Sequence, residues 1–353
     1  MANKGEWSEI YAFFKLLADG RLTSADGHLN LLHEYTPILG IFRNDDPRRN
    51  IYRVLAPSKT ILAAGDNLNI ELPQSVFAER AADLLGLIKA ADMSDENFAS
   101  IYEFMNMLKC GGITAKSSDK ADIRIIIHRL ADGTTPELGY SIKSKLGGRS
   151  TLINSNKDNS NFIYRIDGLD SGAVRKVNGI DRFRDKFEYM ESLGCKVEYV
   201  GIARPTLEKN LIMLDCGMPR IIGLALLDCY SGKSRTLAEA ASRLTATDPL
   251  HLMHGTTQPM YAYKIKQFLL AFALGMTVSS PWTGHFDANG GYIVVKEDGD
   301  LACYHFFDRN ELEDYLFYNT LFDTPSRSRH LFGDVYEEDG RYYIKLALQI
   351  RFD

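Results

Sequence analysis

The chain has no paired cysteines. Its five, Cys110, Cys195, Cys216, Cys229 and Cys303, are odd in number, scattered, and include no CxxC. That pattern excludes a disulfide framework and a cysteine zinc site, and leaves reduced thiols of a cytoplasmic protein as the expectation. No apolar run approaches the roughly 20 residues of a membrane span. The opening residues are polar and lead straight into an amphipathic stretch, without the apolar segment of a secretory signal. A basic excess is missing too: the formal net charge is −5. Such a chain does not coat nucleic acid non-specifically. It can still enclose DNA in a local basic cleft, because the field near the phosphates is what counts. Internal repeats and low-complexity linkers are also lacking.

What is present is ordinary for a folded protein with a core: 45% apolar and 25% charged residues in a chain of 353. That length exceeds the usual single domain, so one elaborated domain or two smaller ones are admissible. A weak boundary at the Ser-Gly-Lys-Ser-Arg-Thr stretch (residues 231–236) suggests regions 1–230 and 231–353.

Periodicity predicts a mixed α/β protein. A helix over 6–17 carries Ile10, Phe13, Phe14 and Leu17 on one face and stops at Asp19-Gly20. Residues 31–35 read as helical and 43–50 as a polar loop. Short strands follow at 51–55 and 68–72. Helices over 75–89 and 95–108 have Ser75 and Ser94 or Asp95 as caps, and Gly111-Gly112 ends the second. An isoleucine-rich strand over 122–129 and a strand over 138–144 form a hairpin around the turn residues 131–136. Strands at 161–166 and 196–203 flank a helix over 180–193. Further helices are expected at 205–214, 219–230, 236–244 and 259–274. Strands 292–296 and 301–305 flank a Glu-Asp-Gly-Asp turn. Strict alternation predicts one last strand over 342–352.

The hairpin carries the chemistry. Ser141 and Lys143, two apart on a strand, share a face. With the turn centred between Gly133 and Thr134, Asp122 lies opposite the Lys143–Lys145 region. A carboxylate and an ammonium at one hairpin end suit phosphodiester hydrolysis. An oxygen-liganded cation polarises the phosphoryl group, and a lysine orients or deprotonates water. Asp122, with the Ile142 carbonyl, would hold the cation, and the all-oxygen set favours Mg2+ over zinc. Many surface hairpins carry the same spacing as a plain salt bridge, so spacing alone is a weak signal. Ser141 cannot supply a second negative charge. Glu9, near the start of the first helix, can; Glu6 and Glu9 are also favoured there by the helix dipole. Between residues 141 and 165, Lys143, Lys145, Arg149, Lys157 and Arg165 face Asp158 alone. This is either a DNA-facing stretch or a solvated loop.

Lys4-Gly5-x-x-x-Glu9 opening a helix, Asp122 on a strand and an x-x-Lys strand follow the order of parts in PD-(D/E)XK nucleases. Residues 3–20 (NKGEWSEIYAFFKLLADG), 138–164 (LGYSIKSKLGGRSTLINSNKDNSNFIY), 282–305 (WTGHFDANGGYIVVKEDGDLACYH) and 324–336 (TPSRSRHLFGDVY) resemble type II restriction endonucleases of the HpaII type. The resemblance touches both ends and the middle. It implies a PD-(D/E)XK core with helical and C-terminal β elaborations, and Mg2+-dependent cleavage of double-stranded DNA at a short palindrome. CCGG is the leading expectation, with 5′-phosphate products. By the same resemblance Asp122 is the metal-binding aspartate and Lys143 the catalytic lysine. Ser141 sits at the usual second acidic position, where it would position water or Lys143. Glu9 is the compensating carboxylate, with Glu103 the fallback. A homodimer on DNA and a cognate DNA methyltransferase in the same system are the implied partners.

Base reading is open. Arg327 and Arg329 suit guanine, which arginine contacts in pairs, or they form an ordinary basic loop. His285 or Asp287 reaches DNA, or the Trp282–His285 stretch is a packed turn; Lys145 and Arg149 are candidates for DNA contact. His128 reads as a core histidine. Tyr261, Tyr263, Lys264 and Lys266 read as a packing helix more than a DNA-contacting one. Two other functions remain: a repair or structure-specific nuclease of the same fold, and a catalytically silent DNA-binding protein.

Overall fold

The computed structural model describes residues 2–43, 50–90, 94–110 and 121–353. Most of the polar loop expected at 43–50, and the Gly111-Gly112 helix break, lie outside them. The chain divides into two compact units. The first is Met1–Ser150 with Ala273–Gly275 and Phe286–Tyr315; the second is Thr151–Phe272 with Met276–His285 and Leu316–Asp353. Each draws on residues from both sides of position 230.

The first unit begins with helix α1 (Lys4–Asp19). Asn3 caps it, and Glu6 returns the favour by accepting the Asn3 N–H at 2.7 Å, completing a capping box. Gly20 ends it in the left-handed region at φ 63°. The caps contribute about 1 kcal/mol each. Burial counts for more: Trp7, Ile10, Phe13, Phe14 and Leu17 are all buried, at about 1.5–3 kcal/mol per large side chain. Trp7 stacks on Phe98 at 4.2 Å between centroids, and Phe14 meets Phe77 and Phe104 edge-on.

Around α1 run strands β1 (Arg21–Ala25), β2 (Leu31–Arg43), β3 (Ile51–Leu55), β4 (Thr60–Gly65) and β5 (Leu68–Pro73). Then come helices α2 (Gln74–Lys89) and α3 (Ala99–Leu108) and strands β6 (Ile123–Ile127), β7 (Glu137–Ser144), β8 (Gly291–Val295) and β9 (Leu301–His305). They form one sheet in the order β1-β9-β8-β7-β6-β2-β3-β4-β5. β1 also pairs with β2, so six of the nine close into a barrel-like ring and β3–β5 extend from it.

β2 makes the closure possible. It is 13 residues long: Arg21 pairs with Pro37 on the β1 side, and Ile38 pairs with Ile127 on the β6 side. The switch falls at Pro37, which has no N–H to give a ladder, while its carbonyl accepts the His128 N–H at 2.9 Å. Residues 31–35 are therefore strand and not helix. The apolar Leu31, Leu32 and Tyr35 that suggested a helical face are exposed on the strand. Ser75 is not a cap either: α2 starts a residue earlier, after Pro73, with no side-chain cap.

The second unit holds a four-stranded sheet ordered Lys196–Ile202, Asn161–Asp167, Arg341–Ala347, Val335–Glu338, and a three-stranded sheet ordered Thr320–Phe322, Ile350–Phe352, Thr151–Ile153. The long final strand expected from alternation is thus two strands in different sheets. The chain breaks at Leu348-Gln349. Leu348 gives its N–H to Ser160 and accepts from Ser155 Oγ, and buried Gln349 binds Asp323 at 2.7 Å. The expected helices are observed as Phe183–Ser192, Pro205–Leu214, Met218–Tyr230, Leu237–Thr247 and Met260–Leu274; Ser171–Asn178 and Arg309–Tyr318 add to them. Among the described residues no single helix is long and apolar enough to cross a membrane.

Candidate active site

The hairpin of β6 and β7 pairs Ile123 with Tyr140 and Ile126 with Glu137. Asp122 therefore lies opposite Ser141, and not opposite Lys143–Lys145. The loop sets this register. Gly133, at φ 72°, donates to the Arg129 carbonyl, Arg129 donates to the Thr134 carbonyl, and the Asp132 carboxylate accepts both the N–H and the hydroxyl of Thr134. This Asx turn moves the centre back to Ala131–Asp132.

The Asp122 N–H continues the ladder to the Tyr140 carbonyl at 2.8 Å. Its carboxylate is held by one oxygen: Oδ2 accepts the Ser141 hydroxyl at 3.1 Å and the Ile142 N–H at 2.6 Å. Within a strand, the N–H and C=O of one residue leave on the same edge. The Ile142 carbonyl thus points to the edge where Asp122 sits. Lys143 shares the Ser141 face, and its ammonium lies 5.8 Å from the centroid of the Tyr292 ring.

Tyr292 arrives on β8, which pairs with β7 in parallel with Tyr292 beside Ser141 and Val294 beside Lys143. Glycines allow the approach. A Cβ on Gly290 would sit 2.6 Å from the Tyr140 ring, and one on Gly291, at φ 121°, would sit 1.9 Å from the Tyr304 carbonyl oxygen. Burial first, and then the Asp122 charge, raise the Tyr292 pKa above the ordinary phenol value.

Helix α1 packs against β7. Glu6 is occupied by its capping box. Glu9 is half-buried and lies one helical turn before Phe13, whose ring meets the Arg43 guanidinium at 5.7 Å. Arg43, buried, pairs in register with Ile123, the neighbour of Asp122. Phe13, one turn from Glu9, thus meets the end of β2 that pairs with the neighbour of Asp122. Glu103 is exposed on α3. Among the described residues no three His, Cys, Asp or Glu side chains gather into a metal-binding group. The oxygens present are those of Asp122 and the Ile142 carbonyl. This donor set fits Mg2+, which uses one or two carboxylates and keeps waters or substrate phosphates for the rest.

The remaining candidates are spread out. Lys145 is half-buried, its N–H bonded to the Val295 carbonyl, and Arg149 is exposed. Lys157 is exposed in the second unit. Arg165, also there, is tied to Asp167 and Glu198, both at 2.8 Å, so it belongs to a surface ion network. Arg327 opens a short helix, Arg327–His330. Its guanidinium holds Asp334 at 2.6 Å, lies 3.9 Å from Asp181 and covers the Phe183 ring at 5.6 Å. With Ser328, Phe332, Tyr336 and Lys345 it lines a cleft of about 720 Å³. Arg329 is exposed. Behind Arg327, burial and then the neighbouring guanidinium lower the Lys186 ammonium to about 8, and Lys186 donates to the Gly333 carbonyl at 2.6 Å. His285 and Asp287 are exposed; the His285 carbonyl accepts the Trp282 indole N–H at 2.9 Å, a packed turn.

His128 is half-buried at the end of β6 and is not a core histidine. His305 is: its Nδ1 lies 3.0 Å from the Tyr140 hydroxyl, and burial lowers its pKa to about 4. On helix Met260–Leu274, Tyr261 is buried and bonded to Asp248 at 2.9 Å, Lys264 pairs with Asp215, and Tyr263 is exposed. Packing dominates that helix. Tyr292 and His305 are buried polar residues beside the hairpin that sequence reading passed over. The signal for the first was Gly290-Gly291 directly before a hydrophobic strand.

Comparison with known proteins agrees along the whole chain. The model of the HpaII restriction endonuclease family matches residues 3–352. The type II restriction enzyme HpaII of Haemophilus parainfluenzae is 40% identical over 351 residues, 99% of this chain and 98% of that protein. No solved structure matches the chain.

Proposed function

The chain belongs to the HpaII restriction endonuclease family and is a type II site-specific deoxyribonuclease, and we propose that it cuts double-stranded DNA at a short palindrome, CCGG, from a PD-(D/E)XK-like site on the β6–β7 hairpin. One observation carries the assignment: Asp122 is fixed by the Ile142 N–H at 2.6 Å, with the Ile142 carbonyl on the same edge and Lys143 next along the strand.

Mg2+ bound by Asp122 and the Ile142 carbonyl, with Glu9 as the second carboxylate, would supply charge for the phosphoryl oxygens and an acidified water. The chain's own residues do the rest. Lys143 orients the attacking water and takes or shares its proton, or neutralises charge on the phosphorane. Ser141 gives its proton to Asp122, so its role is to hold that carboxylate and not to bind the cation.

Lys145 and Arg149, which follow Lys143 in the chain, would contact DNA beside the site. Arg329 and His285, both exposed, are the base-reading candidates, and Arg327 reads only after leaving Asp334. A palindrome calls for two equivalent sites, hence a two-fold dimer on DNA. A methyltransferase of matching specificity would protect the host's own sites in the cytoplasm.

The test is cleavage of unmethylated plasmid with and without Mg2+. Discrete bands that vanish in Asp122→Ala and Lys143→Ala are expected. Wild-type cutting by either variant overturns the site. Smears or structure-dependent nicks would point to a repair nuclease. Site binding in Ca2+ with no turnover in any metal would point to a silent binder, the reading that Ser141 keeps open.

A further inference from the structure

We propose that the cleft of the second unit grips the phosphodiester backbone of DNA, with Lys345 and Arg204 as phosphate contacts and Asp158 as the carboxylate that the phosphate displaces. The inference rests on the reading of the chain as a DNA-cutting enzyme and adds a binding surface that belongs to the other unit.

The walls of the cleft are tied to each other. Arg327 and Lys345 both line it, and Gly333 joins them. Its N–H goes to the Lys345 carbonyl at 2.9 Å, and its carbonyl takes the buried Lys186 ammonium at 2.6 Å. Gly333 sits at φ 91°, and a Cβ there would lie 2.6 Å from the Phe183 ring, so the turn closes only with glycine. Lys345 stands on the strand Arg341–Ala347, two residues from Tyr343 and on the same face. Tyr343 pairs with Tyr336 across the ladder, and their rings stack at 5.8 Å between centroids. The Lys345 ammonium lies 5.9 Å from the centre of the Tyr336 ring. Tyr336 lines the cleft as well, so an aromatic face holds the ammonium at its wall.

Charge is out of balance at this wall. Asp158 takes the Lys345 ammonium at 3.0 Å and lies 3.9 Å from the Arg204 guanidinium, so one carboxylate serves two cations. Lys157, next to Asp158 in the chain, is exposed and adds a third; its N–H meets His330 Nδ1 at 3.3 Å. The neighbouring cations leave a mark on His330, whose pKa is lowered by burial and then by Arg329 and Lys157. In a chain of net charge −5 this excess is local, and it attracts an anion. A phosphate gives both Lys345 and Arg204 a charged acceptor in place of the shared Asp158. Successive charges along one strand suit a row of cations better than a single small anion does.

Binding is measured by fluorescence anisotropy in EDTA, on a duplex carrying CCGG and on one lacking it, across about 50 to 200 mM salt. Without metal, neither cleavage nor the cation of the hairpin enters the readout. Lys345→Gln and Arg204→Gln should each weaken both duplexes alike, several-fold. Each should lower the slope of log affinity against log salt by about 1. Asp158→Asn should do the reverse, tightening both duplexes and steepening the slope, because it releases two cations. A merely structural ion pair predicts no such gain. Asp228→Asn, at the ion pair with Arg243, changes the net charge equally and should leave binding as it is.

If Asp158→Asn binds no more tightly than wild type, or if Asp228→Asn tightens binding as much, the role given to the cleft is overturned. The nuclease reading survives that result as long as the wild type binds DNA. Wild-type protein that binds neither duplex at low salt would overturn both. Should Lys345→Gln fail to fold, Arg204→Gln, on an exposed side chain, decides by the same readout.

Discussion

Ile142 gives its main-chain N–H to Asp122 Oδ2 at 2.6 Å, so the strand that carries the lysine also holds the acid. The bond makes the identity of the Asp122 side chain exacting. In Asp122→Asn one amide position must meet the Ile142 N–H and the Ser141 hydroxyl, so the amide oxygen takes that place and its NH2 group faces the cation position. A donor there repels a cation. Losing the metal's contribution costs several kcal/mol of transition-state stabilisation, a fall in cleavage of about 1000-fold or more. Single-turnover cleavage measures it, with fold retention checked by circular dichroism.

Lys143 is tested by what arginine can and cannot do. Arginine keeps the positive charge but does not lose a proton in proteins. If Lys143 takes the proton of the attacking water, Lys143→Arg should be nearly as inactive as Lys143→Ala, about 100- to 10,000-fold below wild type. Any rise of the wild-type rate with pH that comes from residue 143 should then be absent in Lys143→Arg. Recovery of most activity in Lys143→Arg would instead assign a purely electrostatic role. Rates across pH at saturating Mg2+ distinguish the two.

For the second carboxylate the comparison is between Glu9→Gln and Glu103→Gln. Glu9 lies one turn from Phe13 on the face that meets Arg43, whereas Glu103 is exposed on α3. Glu9→Gln should lose cleavage and weaken Ca2+ binding while leaving the melting temperature close to wild type, because the helix start rests on Asn3 and Glu6. Glu103→Gln should change neither. The opposite pattern would move the metal shell to α3.

Much of this hairpin is legible in the sequence, and the limits of that reading have physical causes. The isoleucine-rich β6, the Gly and Pro turn chemistry and the Ser-Ile-Lys strand are local signals, and they give the hairpin. The register was not legible, because the Asx turn at Asp132 moves the centre of the loop by two residues. β2 was misread for a related reason: Leu31, Leu32 and Tyr35 cluster like a helix face, and only pairing with β1 makes them strand. Tyr292 was out of reach of local reading. Its neighbour Ser141 lies some 150 positions earlier, joined to it by a parallel ladder, and parallel pairing leaves no short-range mark. The closure of the ring through β1 depends on the same kind of distant pairing.

Arg327 and Arg329 are neighbours in sequence and opposites in environment. Arg327 holds Asp334 and covers Phe183, so Arg327→Ala removes packing as well as charge. It should lower the melting temperature by a few degrees. The ion pair is partly exposed and contributes little by itself, about 1 kcal/mol or less. Arg329→Ala should leave the melting temperature unchanged and weaken DNA binding. If Arg329 contacts a phosphate, the slope of log affinity against log salt falls by about 1 and all sequences weaken alike. If it reads guanine, discrimination at one base pair falls by about 1–3 kcal/mol.

His305 gives the fold a dependence on pH. Burial holds the imidazole neutral, its pKa lowered from 6.5 to about 4, while Nδ1 meets the Tyr140 hydroxyl at 3.0 Å. Between those two values the unfolded chain binds the proton and the folded one does not. The contribution to stability is therefore complete above about pH 6.5 and is lost progressively as pH falls towards 4. His305→Gln keeps an acceptor for Tyr140 and removes the titration. Whatever its absolute stability, its slope against pH should be flatter than that of the wild type across this window. Urea midpoints measured from pH 7 down to pH 5 provide the comparison. Parallel slopes would mean that His305 is protonated in the folded state like an exposed histidine, and that the Tyr140 contact does not require the neutral ring.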